Sequence, residues 1–198
     1  LVGVVTLGLL VTVASEGRMP GLDLAWMATV SPGHRSPLTI PSMFLDAIGS
    51  GMPAFVMVTT IGGALFLWGR PWGAVYFLAV AIISAGLVEL LKNTFGRPRP
   101  EVAIVDAGFG SYPSGHSARA AMLAVTLGIL LPRFWVWTLG AAYTLAMMFS
   151  RTQLGVHWLT DTIGGALSGA AVALLCLAVL SRQLEAEGAQ RHPPPWRR

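Results

Sequence analysis

What most constrains this chain is a series of long apolar runs, divided by short polar breaks, in a sequence with very little charge. The runs are 1–14, 53–68, 72–91, 115–131, 134–150 and 156–180, with Gly69-Arg70-Pro71 and Pro132-Arg133 among the breaks. Beyond the first, each is near the ~20 residues that a helix needs to cross a bilayer. None has the polar face of a long helix in a soluble core. Charged residues are 11% of the 198 and hydrophobic ones 54%. The charged share is about half the usual one, too little for a soluble surface. The expected fold is therefore all-α, a six-transmembrane-helix bundle in which 1–180 form one integral-membrane domain.

Run 1–14 has no basic segment before it and no small-x-small cleavage site clearly after it. It reads as a first transmembrane helix whose start is partly missing, not as a signal peptide. Small residues recur in the runs (Gly62, Gly63, Ala64; Ser84, Ala85, Gly86; Gly164, Gly165, Ala166, Gly169) and fit close helix packing in lipid. Trp68, Trp72, Trp135 and Trp137 fall beside two loops on one membrane face, as in an aromatic belt. Segment 15–51 is a proline-containing loop with two helix-like pieces, one with Leu22, Trp26 and Val30 on a face, the other with Leu45 and Ile48 after Pro41. Both suit the membrane interface. Segment 181–198 is polar, ends near Pro193-Pro194-Pro195, and reads as a disordered tail.

The net charge of +4 does not indicate nucleic acid, because the cations form no basic stripe interleaved with aromatics. The single cysteine, Cys176, excludes an intramolecular disulfide and a Cys-rich metal site. It sits in an apolar run as a small hydrophobe.

If the runs alternate across the membrane, three distant segments meet on one face. They are Lys92 to Pro100, Tyr112 to His116, and Ser150-Arg151 with His157 and Asp161. Charge at membrane depth is costly, so such a concentration of it marks a functional site. Lys92, Arg97 or Arg99 alone would suit headgroup snorkelling; the three segments together do not. Lys92, Arg99 and Arg151 bring positive charge, and arginine forks match phosphate oxygens. Ser114 and Gly115 open a helix, where backbone N–H groups favour an anion. The indicated guest is a phosphoryl group.

His157 and Asp161 are four apart on a helical start and share a face. A carboxylate there can fix the imidazole tautomer and leave the other nitrogen basic, which suits a nucleophile. His116 heads another helix and could protonate a departing oxygen. Metal ligation is the rival use of two histidines, but zinc wants three or four ligands and the adjacent cations oppose it.

In these residues the chain resembles the type 2 phosphatidic-acid phosphatase family, relatives of the vanadium-dependent haloperoxidases. K-x6-R-P is matched at Lys92, Arg99 and Pro100; P-S-G-H at Pro113 to His116; S-R-x5-H-x3-D at Ser150, Arg151, His157 and Asp161. The ordered triplet is far more specific than any one motif. The resemblance implies a six-helix membrane bundle and an integral-membrane lipid phosphatase that uses a phosphohistidine intermediate and neither metal nor other cofactor. It implies His157 as nucleophile, Asp161 as its orienter and His116 as acid. Lys92, Arg99, Ser114, Gly115 and Arg151 would hold the phosphoryl oxygens.

A non-catalytic lipid-phosphate carrier would need the cations but not the His157–Asp161 pair. Phosphoryl transfer to an acceptor other than water would use the same residues. Phosphatidic acid, phosphatidylglycerol phosphate, polyprenyl pyrophosphate and lipid A phosphate all remain open as substrates. For orientation, Arg70, Arg133, Arg182, Arg191, Arg197 and Arg198 lie on the face opposite the site. Arg18, Arg35, Lys92, Arg97, Arg99, Arg119 and Arg151 lie on the site face. With the three anion ligands set aside, the positive-inside rule puts the tail in the cytoplasm and the site outside.

Overall fold

The computed structural model describes residues 1–12, 19–30 and 36–191. Among these residues the regular structure is helical: α1 (Val2–Thr12), α2 (Gly21–Val30), α3 (Thr39–Gly49), α4 (Gly51–Leu67), α5 (Pro71–Phe95), α6 (Gly115–Leu130), α7 (Phe134–Gln153) and α8 (Leu159–Arg191). Pro71 occupies the first turn of α5, where its missing N–H costs nothing, and left-handed Gly96 (φ 54°) ends that helix. The apolar runs thus become α1 and α4 to α8, and the two interfacial pieces become α2 and α3. On α2 the buried residues are Asp23 and Met27, while Leu22 is exposed. Trp26 and Val30 are half-buried, so the Leu22–Trp26–Val30 face is only partly exposed.

α5, α6 and α8 form the centre. Tyr76, Phe77 and Val80 of α5, Met122 and Leu123 of α6, and Val172 and Ala173 of α8 make one buried cluster. The Tyr76 hydroxyl donates to the Ala173 carbonyl at 3.1 Å, so this phenol is satisfied inside the apolar core. α1 closes one flank, burying Val4 and Val11 with Leu91 and Tyr112.

Glycines on α8 set how near α6 can come. A Cβ at Gly165 or Gly169 would collide with the carbonyl oxygen of Ser114 or Ala118, and one at Gly164 would collide with the Tyr112 ring. The packing role expected of small residues holds at these positions and at Gly62, but Gly63 and Gly86 face open space.

The exterior is apolar as well. Ile82, Leu139, Leu145 and Val179 are 72%, 62%, 65% and 76% exposed. Such a belt around a packed bundle suits contact with lipid. Among the described residues two helices, α5 and α8, are each long and apolar enough to cross a bilayer. A third crossing is possible if α3 and α4, bent by 60°, count as one broken span; α1 and α6 are shorter apolar helices.

The tail departs from expectation. Residues 181–191 continue α8 as helix, and 192–198 lie outside the described residues. Glu187, 6% exposed, accepts from the Trp72 N–H at 2.7 Å and the Gly73 N–H at 3.4 Å, with Arg70 Nε at 3.4 Å. A carboxylate against the open amides of the α5 N-terminus is a favourable cap. That contact holds the polar segment as helix.

Candidate active site

The chemistry-bearing residues collect at the end of the bundle opposite Glu187, where α5 and α7 finish and α6 and α8 begin. A cavity of about 300 Å³ lies there, lined in part by Lys92, Arg99, Gly115, His116, Arg151 and His157, together with Asp46, Ser50, Glu89 and Arg119. Six of the eight site residues expected from sequence thus face one cavity. The other two, Ser114 and Asp161, are buried behind it.

Local structure explains the placement. Gly96 turns the chain at the end of α5, so Arg97 to Pro100 run back toward α8. Gly155 has φ +68°, and a Cβ there would also sit 2.7 Å from the Val102 carbonyl. Its turn lets Val156 and His157 donate their N–H groups to the Arg151 carbonyl at 3.2 and 3.3 Å. His157 is thereby folded back beside Arg151.

The His157 ring is oriented by a group that sequence reading did not find. Nδ1 lies 2.8 Å from the Ser111 carbonyl oxygen and 3.6 Å from Asp161 Oδ2. A carbonyl only accepts, so Nδ1 carries the proton and Nε2 keeps its lone pair. The direct orienter is thus Ser111 O, with Asp161 close enough to act through its charge. Nε2 faces Arg99 Nη1 at 3.3 Å. Arg99 is held by the carbonyls of Gly108 (2.8 Å), Gly110 (2.8 Å) and Val156 (2.6 Å). Arg151 is 2% exposed and pairs with Asp46, and its Nε has no hydrogen-bond partner among the described residues. A buried guanidinium with a spare donor beside a cavity suits an anion.

Asp161 is committed elsewhere. Its Oδ2 accepts from the Trp158 N–H at 2.9 Å, its Oδ1 pairs with Arg97, and its backbone carbonyl accepts from the Ser114 N–H at 2.9 Å. Arg97, fully buried, also pairs with Asp23 Oδ2 at 2.7 Å and donates to Thr160 Oγ1 at 2.8 Å. Snorkelling, one option for Arg97 from sequence, does not occur. Instead one cation and two carboxylates lock α2 to the start of α8. The Ser114 hydroxyl caps α6, with the Ser117 N–H at 3.5 Å and the Ser117 hydroxyl at 3.2 Å. Ser114 is fully buried and does not line the cavity.

Residues 73–185, more than half of the chain, match the family model described as the PAP2 superfamily. The chain belongs to the PAP2 superfamily. Among curated proteins it is 32% identical to the lipid A 1-phosphatase of Rhizobium johnstonii over 56% of this chain and 49% of that one. It is 27% identical to the phosphatidylglycerophosphatase B of Bacillus subtilis over 60% of this chain and 63% of that one. It is 39% identical to the undecaprenyl-diphosphatase of Sulfolobus acidocaldarius over 36% of this chain and 34% of that one. The chain therefore spans less than two thirds of the length of these relatives. Among solved structures, the transmembrane PAP2-type phosphatidylglycerolphosphate phosphatase of Bacillus subtilis superposes with a TM-score of 0.77 at 25% identity, covering 91% of this chain and 94% of that one. Aquifex aeolicus LpxE gives 0.71 at 23% identity, covering 80% and 96%, a likeness of fold alone.

In this PAP2 protein, Asp23, Asp46, Ser50 and Ser111 belong to the site region but to none of the sequence motifs. Asp23 and Asp46 did carry a signal. Each is a lone carboxylate on a short helix in a mainly apolar protein, where a charge needs a partner.

Burial lowers the His157 imidazole from its ordinary 6.5 to about 4, with Asp161 opposing and Arg99 and Arg151 assisting. The neutral ring is therefore favoured by the fold. Its contribution to stability is full above about pH 6.5 and is lost as pH falls toward 4, about 3 kcal/mol in all. Thermal unfolding in detergent should show this loss in the unaltered protein and a flatter profile in His157→Gln. Equal profiles across that window would refute it.

Proposed function

We propose that this PAP2 protein is a metal-independent hydrolase of a lipid phosphate monoester or pyrophosphate, working through a phosphohistidine. The observation that carries this is His157 Nε2, left unprotonated by the Ser111 contact, directed into a cavity beside Arg99 and Arg151. Nε2 attacks phosphorus, and the bond to the lipid oxygen breaks. That oxygen keeps the electron pair and takes a proton from His116. Water then attacks the phosphohistidine as His116 accepts its proton, the P–N bond breaks, and inorganic phosphate leaves. Lys92, Arg99 and Arg151 hold the phosphoryl oxygens, and the amide end of α6 at Gly115 faces them. Charge fixed in advance around the transferring group provides much of the rate.

These cations stand where a divalent ion would otherwise neutralise phosphate charge, and among the described residues no three His, Cys, Asp or Glu side chains form a metal cluster. Exhaustive chelation should leave phosphate release from phosphatidic acid, phosphatidylglycerol phosphate, polyprenyl pyrophosphate or lipid A within about twofold, while vanadate inhibits. Activity lost to a chelator and restored by one metal would overturn metal independence. No phosphate from any of the four lipids would overturn the hydrolase.

The helices α1 and α4 to α8 would make six crossings. The tail would be cytoplasmic and the site extracytoplasmic, although Arg18, Arg35, Arg197 and Arg198 of the charge count lie outside the described residues. Labelling of a tail cysteine by an impermeant thiol reagent in intact cells, with Cys176 replaced, would reverse the orientation.

A further inference from the structure

We propose that Asp46, acting through Ser50, is a positioning residue that holds a proton on His116 Nε2, so that Nδ1 of the imidazolium is the donor to the departing lipid oxygen. The inference rests on the acid role proposed above for His116. Asp46 is on α3, and Ser50 is at the corner between α3 and α4. The Ser50 hydroxyl donates to Asp46 Oδ1 at 3.3 Å and lies 2.9 Å from His116 Nε2. A hydroxyl has one proton. With that proton on the carboxylate side, Ser50 Oγ can only accept from the ring, so Nε2 carries hydrogen.

Asp46 also faces the ring directly, with Oδ1 and the backbone carbonyl oxygen each 3.4 Å from Nε2. The His116 edge bearing Cδ2 and Nε2 packs on α3: a Cβ at Gly49 would sit 2.6 Å from Cδ2 and 3.3 Å from Nε2. That leaves Nδ1 for the leaving group. The proton budget then closes: His116 starts as imidazolium, gives the Nδ1 proton to the lipid oxygen and keeps the Nε2 proton on Ser50. Burial of the ring and the positive charges of Arg151 on α7 and Arg119 on α6 itself all oppose the imidazolium, and Asp46 is the group that favours it.

Asp46 also pairs with Arg151, and a purely structural role in holding that arginine must be distinguished. Leaving groups separate the two. An alkoxide needs a proton to depart, and a nitrophenolate does not. A general acid is worth about 10² to 10⁴ in rate, so a group that only positions it should be worth less. The reading is kcat/KM for dodecyl phosphate and for p-nitrophenyl phosphate, which reports steps up to loss of the leaving group.

His116→Ala should cut the dodecyl value at least about 100-fold more than the nitrophenyl value. Asp46→Asn should show the same bias at about 10-fold or more, and Ser50→Ala at about 3-fold or more. Equal losses on both substrates in Asp46→Asn would show that Asp46 serves Arg151 alone and would overturn the inference. If Asp46→Asn does not fold, an unbiased Ser50→Ala would overturn it equally. An unbiased His116→Ala would instead remove the acid role, and this inference with it.

Discussion

In detergent, His157→Ala should release phosphate from a lipid phosphate on the order of 10⁴-fold more slowly than the unaltered protein. Among the described residues no other imidazole lies beside both Arg151 and Arg99, and in the proposed mechanism losing His157 removes the covalent route as a whole. The unaltered protein, quenched during turnover, should carry an acid-labile, base-stable phosphoryl group, and His157→Ala should carry none. His116→Ala should still accumulate that group from a substrate with a good leaving group, because attack does not need the acid although hydrolysis of the intermediate does. Turnover retained in His157→Ala, or a phosphoryl group that survives acid, would sink the phosphohistidine mechanism. Loss of turnover with full binding of a lipid phosphate analogue would exclude simple unfolding as the cause.

A second large effect concerns substrate size. At equal concentration, kcat/KM for a long-chain lipid phosphate should exceed that for glycerol phosphate by about two orders of magnitude or more. A groove of about 380 Å³ between α4, α5 and α6 is lined by Ala54, Phe55, Val58, Ile82, Ala85 and Met122, and it shares Gly51, Glu89, Gly115 and Arg119 with the polar cavity. A chain in this groove keeps its methylenes, each worth about 0.8 kcal/mol, out of water while its phosphate reaches the cations. Of the described residues of segment 15–51, only Gly51 lines this groove. Ala85→Trp should fill the groove and lower kcat/KM for the lipid about tenfold or more, with glycerol phosphate little changed. Equal efficiency on lipid and glycerol phosphate, or equal losses in Ala85→Trp, would leave the lateral groove without a role.

The sequence by itself determined the helices and the end of the bundle at which the chemistry gathers. An apolar run near bilayer length has few ways to satisfy its backbone except as helix, and helices joined by short loops alternate in direction. That places Lys92, Arg99, His116, Arg151 and His157 together before any contact is known. Tertiary structure alone decided what each polar atom bonds to. Asp161 and His157 are four residues apart, which predicts their shared face but not that Ser111 O accepts from Nδ1–H or that Arg97 pairs with the carboxylate. Asp23 and Asp46 lie far up the chain on α2 and α3, and no local pattern couples them to α5, α7 or α8. Their partners were set by how those short helices fold over the end of the bundle, because a buried charge must find its opposite wherever packing brings one near. The tail shows the same division: its composition reads as disordered, and one carboxylate, Glu187, meeting the open amides of α5 keeps residues 181–191 in α8.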